Sequence, residues 1–215
     1  MPKLRAHNIS VSLDGYMAGP RQSIADPLGA GGTRLHEWAY RTKTFHAMTG
    51  EPGGEDGLDE RFMRAGTENI GATVMGRDMF GPVRGPWAGS DWKGWWGDEP
   101  PHHRPVFVLT HHPHEPIPMR GGTTFHFVTD GPRAALERAF AAAGGKDVRL
   151  GGGAATIQEF LRAGLVDELH IAIVPLLLGD GERLFDRLEG RDSGLRCVEI
   201  VSSDAVVHAR LAREA

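Results

Sequence analysis

Apolar positions recur along this chain in two periods, with glycine and proline marking the breaks between them. Over 4–13, Ile9, Val11 and Leu13 alternate with other residues, the period-2 pattern of a strand. Asp14-Gly15 ends that strand with turn residues, and Tyr16-Met17-Ala18-Gly19 opens a loop. From 20 to 57 no period survives, apart from a helical patch at Leu35-His36-Glu37-Trp38-Ala39-Tyr40. Over 58–68, Leu58, Phe62 and Ala65 fall on one helix face. Ala72-Thr73-Val74-Met75 is a short strand that runs into Gly76-Arg77-Asp78-Met79-Phe80. A second irregular stretch, 82–103, holds Trp87, Trp92, Trp95 and Trp96, which cap a cleft, bury an interface or extend the core. Strands over 105–110 and 123–129 and an alanine-rich helix over 134–143 follow.

The second half turns on Asp147-Val148-Arg149-Leu150-Gly151-Gly152-Gly153, a strand that crosses three glycines into a helix ending at Ala163-Gly164. Such a junction leaves free backbone N–H groups at the positive end of a helix, which suits a phosphate. A tight turn without a ligand is the alternative. Neither G-x-x-x-x-G-K-[ST] nor G-x-G-x-x-G is present, since Thr156 stands where the last glycine belongs. Gly76-Arg77 is a second junction of this kind, and its guanidinium is either a phosphate clamp or a surface arginine. Strands over 168–175, 196–202 and 205–212 complete the chain. The order predicts an α/β fold with a mainly parallel central sheet, flanking helices and antiparallel C-terminal strands. Ligands of such sheets bind beyond the carboxyl ends of the strands, so the loops after Leu13, Met75, Leu109 and Leu150 are expected to share one cleft.

Composition narrows the partners. The 215 residues fit one domain with long loops at about 20–57 and 82–103. A net charge of -4 gives no support for nucleic acid. Cys197 is the sole cysteine, which excludes an internal disulfide and fits a reducing compartment. The polar start and the lack of a membrane-length apolar run predict a cytoplasmic protein without a membrane partner. His102, His103, His111, His112 and His114 match no zinc spacing and read as solvated loop histidines, so no metal is expected.

Ser12-Leu13-Asp14-Gly15-Tyr16-Met17-Ala18 resembles the start of the riboflavin-biosynthesis (RibD-type) reductase C-terminal domain. Met75-Gly76-Arg77, Val108-Leu109-Thr110, Gly151-Gly152-Gly153, Gly164-Leu165-Val166-Asp167-Glu168-Leu169-His170 and Pro175-Leu176-Leu177-Leu178-Gly179-Asp180-Gly181 follow in that family's order. The resemblance implies a dihydrofolate reductase-like fold and a reductase that uses NADPH on a small heterocyclic or imine-type substrate. It places Met17 and Ala18 near the nicotinamide, Gly76 and Arg77 at the phosphates, and Thr110 and His111 at the adenosine ribose and its 2′-phosphate. Gly152, Gly153, Ala154, Thr156 and Ile157 would cover the pyrophosphate and nicotinamide, and the Gly151–Gly152 peptide would be cis.

Asp78-Met79 departs from the Lys/Arg-Thr pair usual after Gly-Arg, and a carboxylate there repels phosphate. For the proton donor, Glu60 falls nearest the helix carboxylate of dihydrofolate reductases, with Asp59 beside it, and Asp14 is a second candidate. Helix-dipole and turn-forming roles are the alternatives for these acids. Arg21, Arg34, Arg41 and Lys43 are the only visible donors for a substrate phosphate. No deaminase zinc motif is present. The expected activity is NADPH-dependent reduction of a pteridine or riboflavin-pathway aminopyrimidine; the alternative is a nucleotide-binding protein on the same fold without efficient catalysis. The resemblance also implies a homodimer through the C-terminal strands.

Overall fold

A computed structural model describes residues 1–81, 85–87, 91–188, 190 and 192–214. Its strands are β1 (Leu4–Ser12), β2 (Tyr16–Ala18), β3 (Ile70–Gly76), β4 (Pro105–Leu109), β5 (Ile117–Pro118), β6 (Thr124–Val128), β7 (Asp147–Leu150), β8 (Glu168–Val174), β9 (Glu182–Arg183), β10 (Leu195–Ser202) and β11 (Val207–Arg213). Its helices are α1 (Glu37–Tyr40), α2 (Lys43–Thr49), α3 (Leu58–Ala65), α4 (Arg77–Phe80), α5 (Gly131–Ala142) and α6 (Ala154–Arg162). Nine strands form one sheet in the order β10-β11-β8-β1-β7-β3-β4-β6-β5. The run from β8 to β6 is parallel, while β11, β10 and β5 are antiparallel to their neighbours. This is the dihydrofolate reductase-like α/β architecture, with the mainly parallel sheet and the antiparallel C-terminal strands expected from the pattern.

Each sheet face is apolar for its own reason. Ala6, Ala72, Val74, Val148 and Leu150 meet Leu136, Ala139, Ile157 and Phe160 of α5 and α6 in one buried cluster. The missing side chain at Gly71 of β3 lets the end of α5 lie close: a Cβ there would stand 2.1 Å from the Ala143 carbonyl oxygen. Met75, Val106, Val108 and Phe125 point to the other face, beneath Phe80, Trp87, Trp92 and Trp96. A third cluster joins Trp38, Met63, Ala172 and Val206.

One buried polar chain crosses that last face. Asn8 has φ 59° and sits where the β1–β8 register shifts. Its N–H donates to His170 Nδ1 at 3.2 Å. That bond leaves the His170 proton on Nε2, which donates to His208 Nδ1 at 3.0 Å. His208 Nε2 in turn donates to Asp59 Oδ1 at 2.9 Å. Burial is the main force pushing both imidazoles below their ordinary pKa, His170 to about 2, so each stays neutral and its two nitrogens keep fixed roles.

Two regions differ from the sequence reading. The 20–57 stretch holds α2 as well as the expected patch at α1; α2 is only seven residues long and offers just Phe45 and Met48, both partly buried, as a stripe. β2 and β9 pair as a separate two-stranded ribbon, too short to show a period. Of the irregular 82–103 segment, 82–84 and 88–90 lie outside the described residues.

Candidate functional site

The carboxyl ends of β1, β7, β3 and β4 open into one cleft of about 1100 Å³. That is ample for a dinucleotide beside a small acceptor, given that single-ligand pockets run to roughly 1,000 Å³. The loops after β3, β4 and β7 line it, as the topology predicted, and β1 reaches it through Asn8–Ser10 and the following β2 through Met17 and Ala18.

One wall is the start of α6. Gly153 is its N-cap and supplies no side-chain cap, so the first-turn amides of Ala154, Ala155 and Thr156 face the cleft. A Cβ at Gly153 would meet no atom within 4 Å, which leaves room for a ligand against the helix end. Gly152 has φ 100°, a glycine conformation. The cis peptide is Gly152–Gly153, one residue later than the Gly151–Gly152 bond expected. The Gly151 N–H donates to Val74 O at 2.8 Å and the Gly76 N–H to Gly152 O at 2.9 Å. The β3–β7 pairing therefore continues into both glycine junctions and sets the two helix starts side by side. A Cβ at Gly76 would stand 2.2 Å from Thr156 Oγ1, so only glycine allows that approach.

Arg77 is positioned from both sides. Its guanidinium lies 3.5 Å from the centre of the Trp87 ring, and Nη1 donates to Thr110 Oγ1 at 3.1 Å. Thr110 Oγ1 also accepts the His112 N–H at 3.1 Å. His111 lines the cleft beside them, and Met17 and Ala18 line it from β2. Asp78 is exposed at the rim, and Trp95 Nε1 donates to its carbonyl oxygen at 3.2 Å. Trp95 and Trp96 line the cleft, while Trp87, Trp92 and Trp96 also pack on the Phe80 cluster, so the tryptophans serve both cleft and core.

Three expected site residues are placed elsewhere. Ile157 is fully buried in the main core: three residues beyond Ala154, it has turned from the cleft toward the sheet. Glu60 does not line the cleft. Its carboxylate accepts the Thr44 N–H at 2.8 Å and the Thr44 hydroxyl at 2.7 Å, holding α3 to the start of α2. Asp14 is outside the lining too. It accepts from Ser12 Oγ and from the Leu178 and Gly179 amides, tying the β1–β2 turn to the 175–181 loop. The Ser12 bond foremost, with those two amides, lowers its pKa to about 2, so Asp14 is ionised at physiological pH and is a poor proton donor. Asp59, the neighbour of Glu60 on α3, is committed to His208. Arg21, Arg34, Arg41 and Lys43 are absent from the lining; Lys43 pairs with Asp56, and Arg41 lies 3.9 Å from Asp59.

The structure adds His36, Ser10 and Arg162 to the cleft. Burial lowers the His36 pKa to about 4, which keeps its ring neutral. Ser10 Oγ accepts from Trp38 Nε1 at 2.9 Å, so its hydroxyl proton is free to point to a ligand. The sequence signal for His36 was slight: it sits between the buried Leu35 and Trp38, in a patch notable only for its apolar members.

The cleft, the glycine junctions and the sheet order together define a dihydrofolate reductase-like domain. Residues 3–209 match the RibD C-terminal domain family, and the chain belongs to it. Its family and fold are those of reductases. A putative riboflavin biosynthesis protein from Shewanella sp. PV-4 superposes with a TM-score of 0.61 at 24% identity, covering 100% of both chains. A deaminase/5-amino-6-(5-phosphoribosylamino)uracil reductase from Thermotoga maritima gives 0.53 at 13%, covering 99% of this chain and 57% of that one. Enterococcus faecalis dihydrofolate reductase, complexed with NADP(H), gives 0.51 at 15%, covering 99% and 97%. In sequence, the uncharacterized protein YyaP of Bacillus subtilis is 51% identical over 41 residues, a match that spans 19% of this chain and 22% of that protein. No helix among the described residues is long and apolar enough to cross a membrane.

Proposed function

We propose that the chain is an NADPH-dependent reductase that transfers a hydride to a small heterocyclic acceptor of the pteridine or riboflavin-pathway aminopyrimidine type. The observation that carries this reading is the uncapped start of α6, open to the cleft at Gly153 and set beside Gly76 and Arg77. Free amides and a guanidinium on two sides of one gap suit a diphosphate. Bound there, NADPH would supply the hydride. Arg77 and the Ala154–Thr156 amides hold its phosphates, and Thr110 meets the adenosine ribose. His111 and Arg162 supply basic groups toward the 2′-phosphate. Gly152 and Gly153 border the pyrophosphate, and Met17 and Ala18 border the nicotinamide. The acceptor lies over Ile9 and Ser10, where neutral His36 offers one donor and one acceptor. In this reading the chain works as a single dihydrofolate reductase-like domain over 1–215. It is cytoplasmic, has no nucleic-acid or membrane partner, and forms a homodimer through β10, whose outer side exposes Val198 and Ile200.

Titration with NADPH and then NADH, followed by tryptophan fluorescence, tests the reading, because Trp95 and Trp96 line the cleft. Saturable NADPH binding, weakened about tenfold or more in Arg77→Ala, is the expected result; a lost charge-assisted bond is worth roughly 1.5–3 kcal/mol. No binding of either nucleotide refutes it. The carboxylate of Asp78 at the phosphate rim favours a second reading, a nucleotide-binding protein without efficient turnover. NADPH oxidation driven by a pteridine or aminopyrimidine separates the two.

A further inference from the structure

A second constellation lies away from the cleft and does not depend on the cofactor reading. Parallel pairing sets Arg149 of β7 between Arg5 of β1 and Thr73 of β3. Paired residues share a sheet face, and Thr73 is two positions from Met75, which packs under the tryptophans. Arg104 stands two residues before Val106 of the same cluster. His102 packs its ring edge-on against Trp96, 4.9 Å between centres. On the opposite side Arg5 donates to the Ala65 carbonyl at the end of α3. Three guanidiniums and the imidazoles of His7 and His102 therefore meet in the seam between α3 and the tryptophan segment.

The negative charge near them is committed at one end. Glu168 lies within 3.5 Å of Lys3, Arg5 and His7, and Asp147 within 3.4 Å of Arg5 and Asn69. Arg104 Nε donates to the His102 carbonyl oxygen at 2.6 Å. Arg149 has no such neighbour: its Nε is shut off from solvent with no hydrogen-bond partner among the described residues, and so is His102 Nε2. Burial first, then repulsion from Arg104 and Arg5, brings Arg149 down to about 10. Burial, then Arg149 and Arg104, brings His102 to about 3. Arg149 is partly buried, and its Nε has lost its water without gaining a partner. None of these residues lines the cofactor cleft.

We infer that this seam is an oxyanion site, in which Arg149, Arg104 and the His102 imidazole bind a phosphate group, either free or as the monoester of a small metabolite. Guanidinium forks match tetrahedral oxyanions, and a neutral imidazole adds one N–H donor.

The test is thermal unfolding of the full chain in inorganic phosphate against chloride at constant ionic strength. Wild type should show a saturable rise in Tm, as ligand linkage requires. Arg149→Met should lose that rise, bind NADPH as wild type does, and melt above wild type in chloride. Arg149→Lys, which keeps the charge but not the fork, should show a weakened rise if the methionine variant fails to fold. Phosphate should also raise the pKa of the His102 ring by NMR. A rise that survives in Arg149→Met but disappears in Arg77→Ala places the phosphate in the cofactor cleft and overturns the proposal. So does a flat phosphate response in wild type, or a methionine variant that merely changes the oligomeric state. Glycerol phosphate in the same assay separates the sources: a larger rise than inorganic phosphate assigns an ester, an equal or smaller one the free ion.

Discussion

Replacing Gly76 with alanine probes the closest approach in the cleft. The added methyl would stand 2.2 Å from Thr156 Oγ1 and 3.4 Å from Thr156 Cβ. Ordinary contact begins at 3.4 Å, so the first turn of α6 must give by 3.4 − 2.2, or about 1.2 Å. That displacement moves the cleft-facing amides of α6 relative to Arg77. A misplacement of about 1 Å in a positioned site costs on the order of 100-fold, equivalent to about 2.7 kcal/mol. Gly76→Ala should therefore weaken NADPH binding about 100-fold and lower Tm, since overpacking costs roughly 1–3 kcal/mol. Thr156→Ala removes the clashing oxygen and leaves the Cβ at 3.4 Å, ordinary contact. Alone it should cost tenfold or less, about one hydrogen bond. The double variant should recover to within about tenfold of wild type, a coupling of the size expected for residues in contact. The readouts are NADPH titration and thermal unfolding on all four proteins. A double variant no better than Gly76→Ala, or a Gly76→Ala that binds and melts like wild type, refutes the close-approach argument.

Glu60→Gln should leave NADPH turnover unchanged and destabilise by about 1–2 kcal/mol, because it weakens only the bonds to Thr44; a large loss of kcat with unchanged stability would return Glu60 to the chemistry. Asp14 has a depressed folded pKa of about 2, so its contribution is present above the unfolded value near 4 and is lost as pH falls toward 2. Asp14→Asn should flatten stability over that window in acid denaturation. His36 is a base whose folded pKa is lowered to about 4, so the unfolded chain binds the proton first and stability falls from pH about 6.5 to 4. Its ring should titrate near 4 by NMR, and His36→Gln should remove that slope. Phe160→Ala, at a fully buried position on α6, should cost about 3–5 kcal/mol by denaturant unfolding.

The sequence carried the frame of the sheet because its strands are apolar in short bounded runs and α3 and α6 bury one face each. It carried the glycine-junction end of the cleft because glycine junctions leave a mark on composition: Gly76, Arg77, Gly152 and Gly153 meet there. It did not carry the acidic residues. Asp59 and Glu60 are adjacent on α3 and so point about 100° apart, but only packing decides where each points, and neither faces the cleft. Helix phase likewise turned Ile157 inward. His36 and Ser10 were hidden because their role comes from neighbours distant in sequence.

The placement of β1 also governs the order of assembly. β1 is the first of the described strands, yet its two neighbours in the sheet are β7 (Asp147–Leu150) and β8 (Glu168–Val174), far along the sequence. The bulge at Asn8 is fixed by His170 and, behind it, by His208 of the last strand. Pairings this distant in sequence close late and slow the search. On the ribosome, the floor of the cleft therefore cannot settle until β7, β8 and β11 have emerged, so the binding surface waits on strands far along the chain.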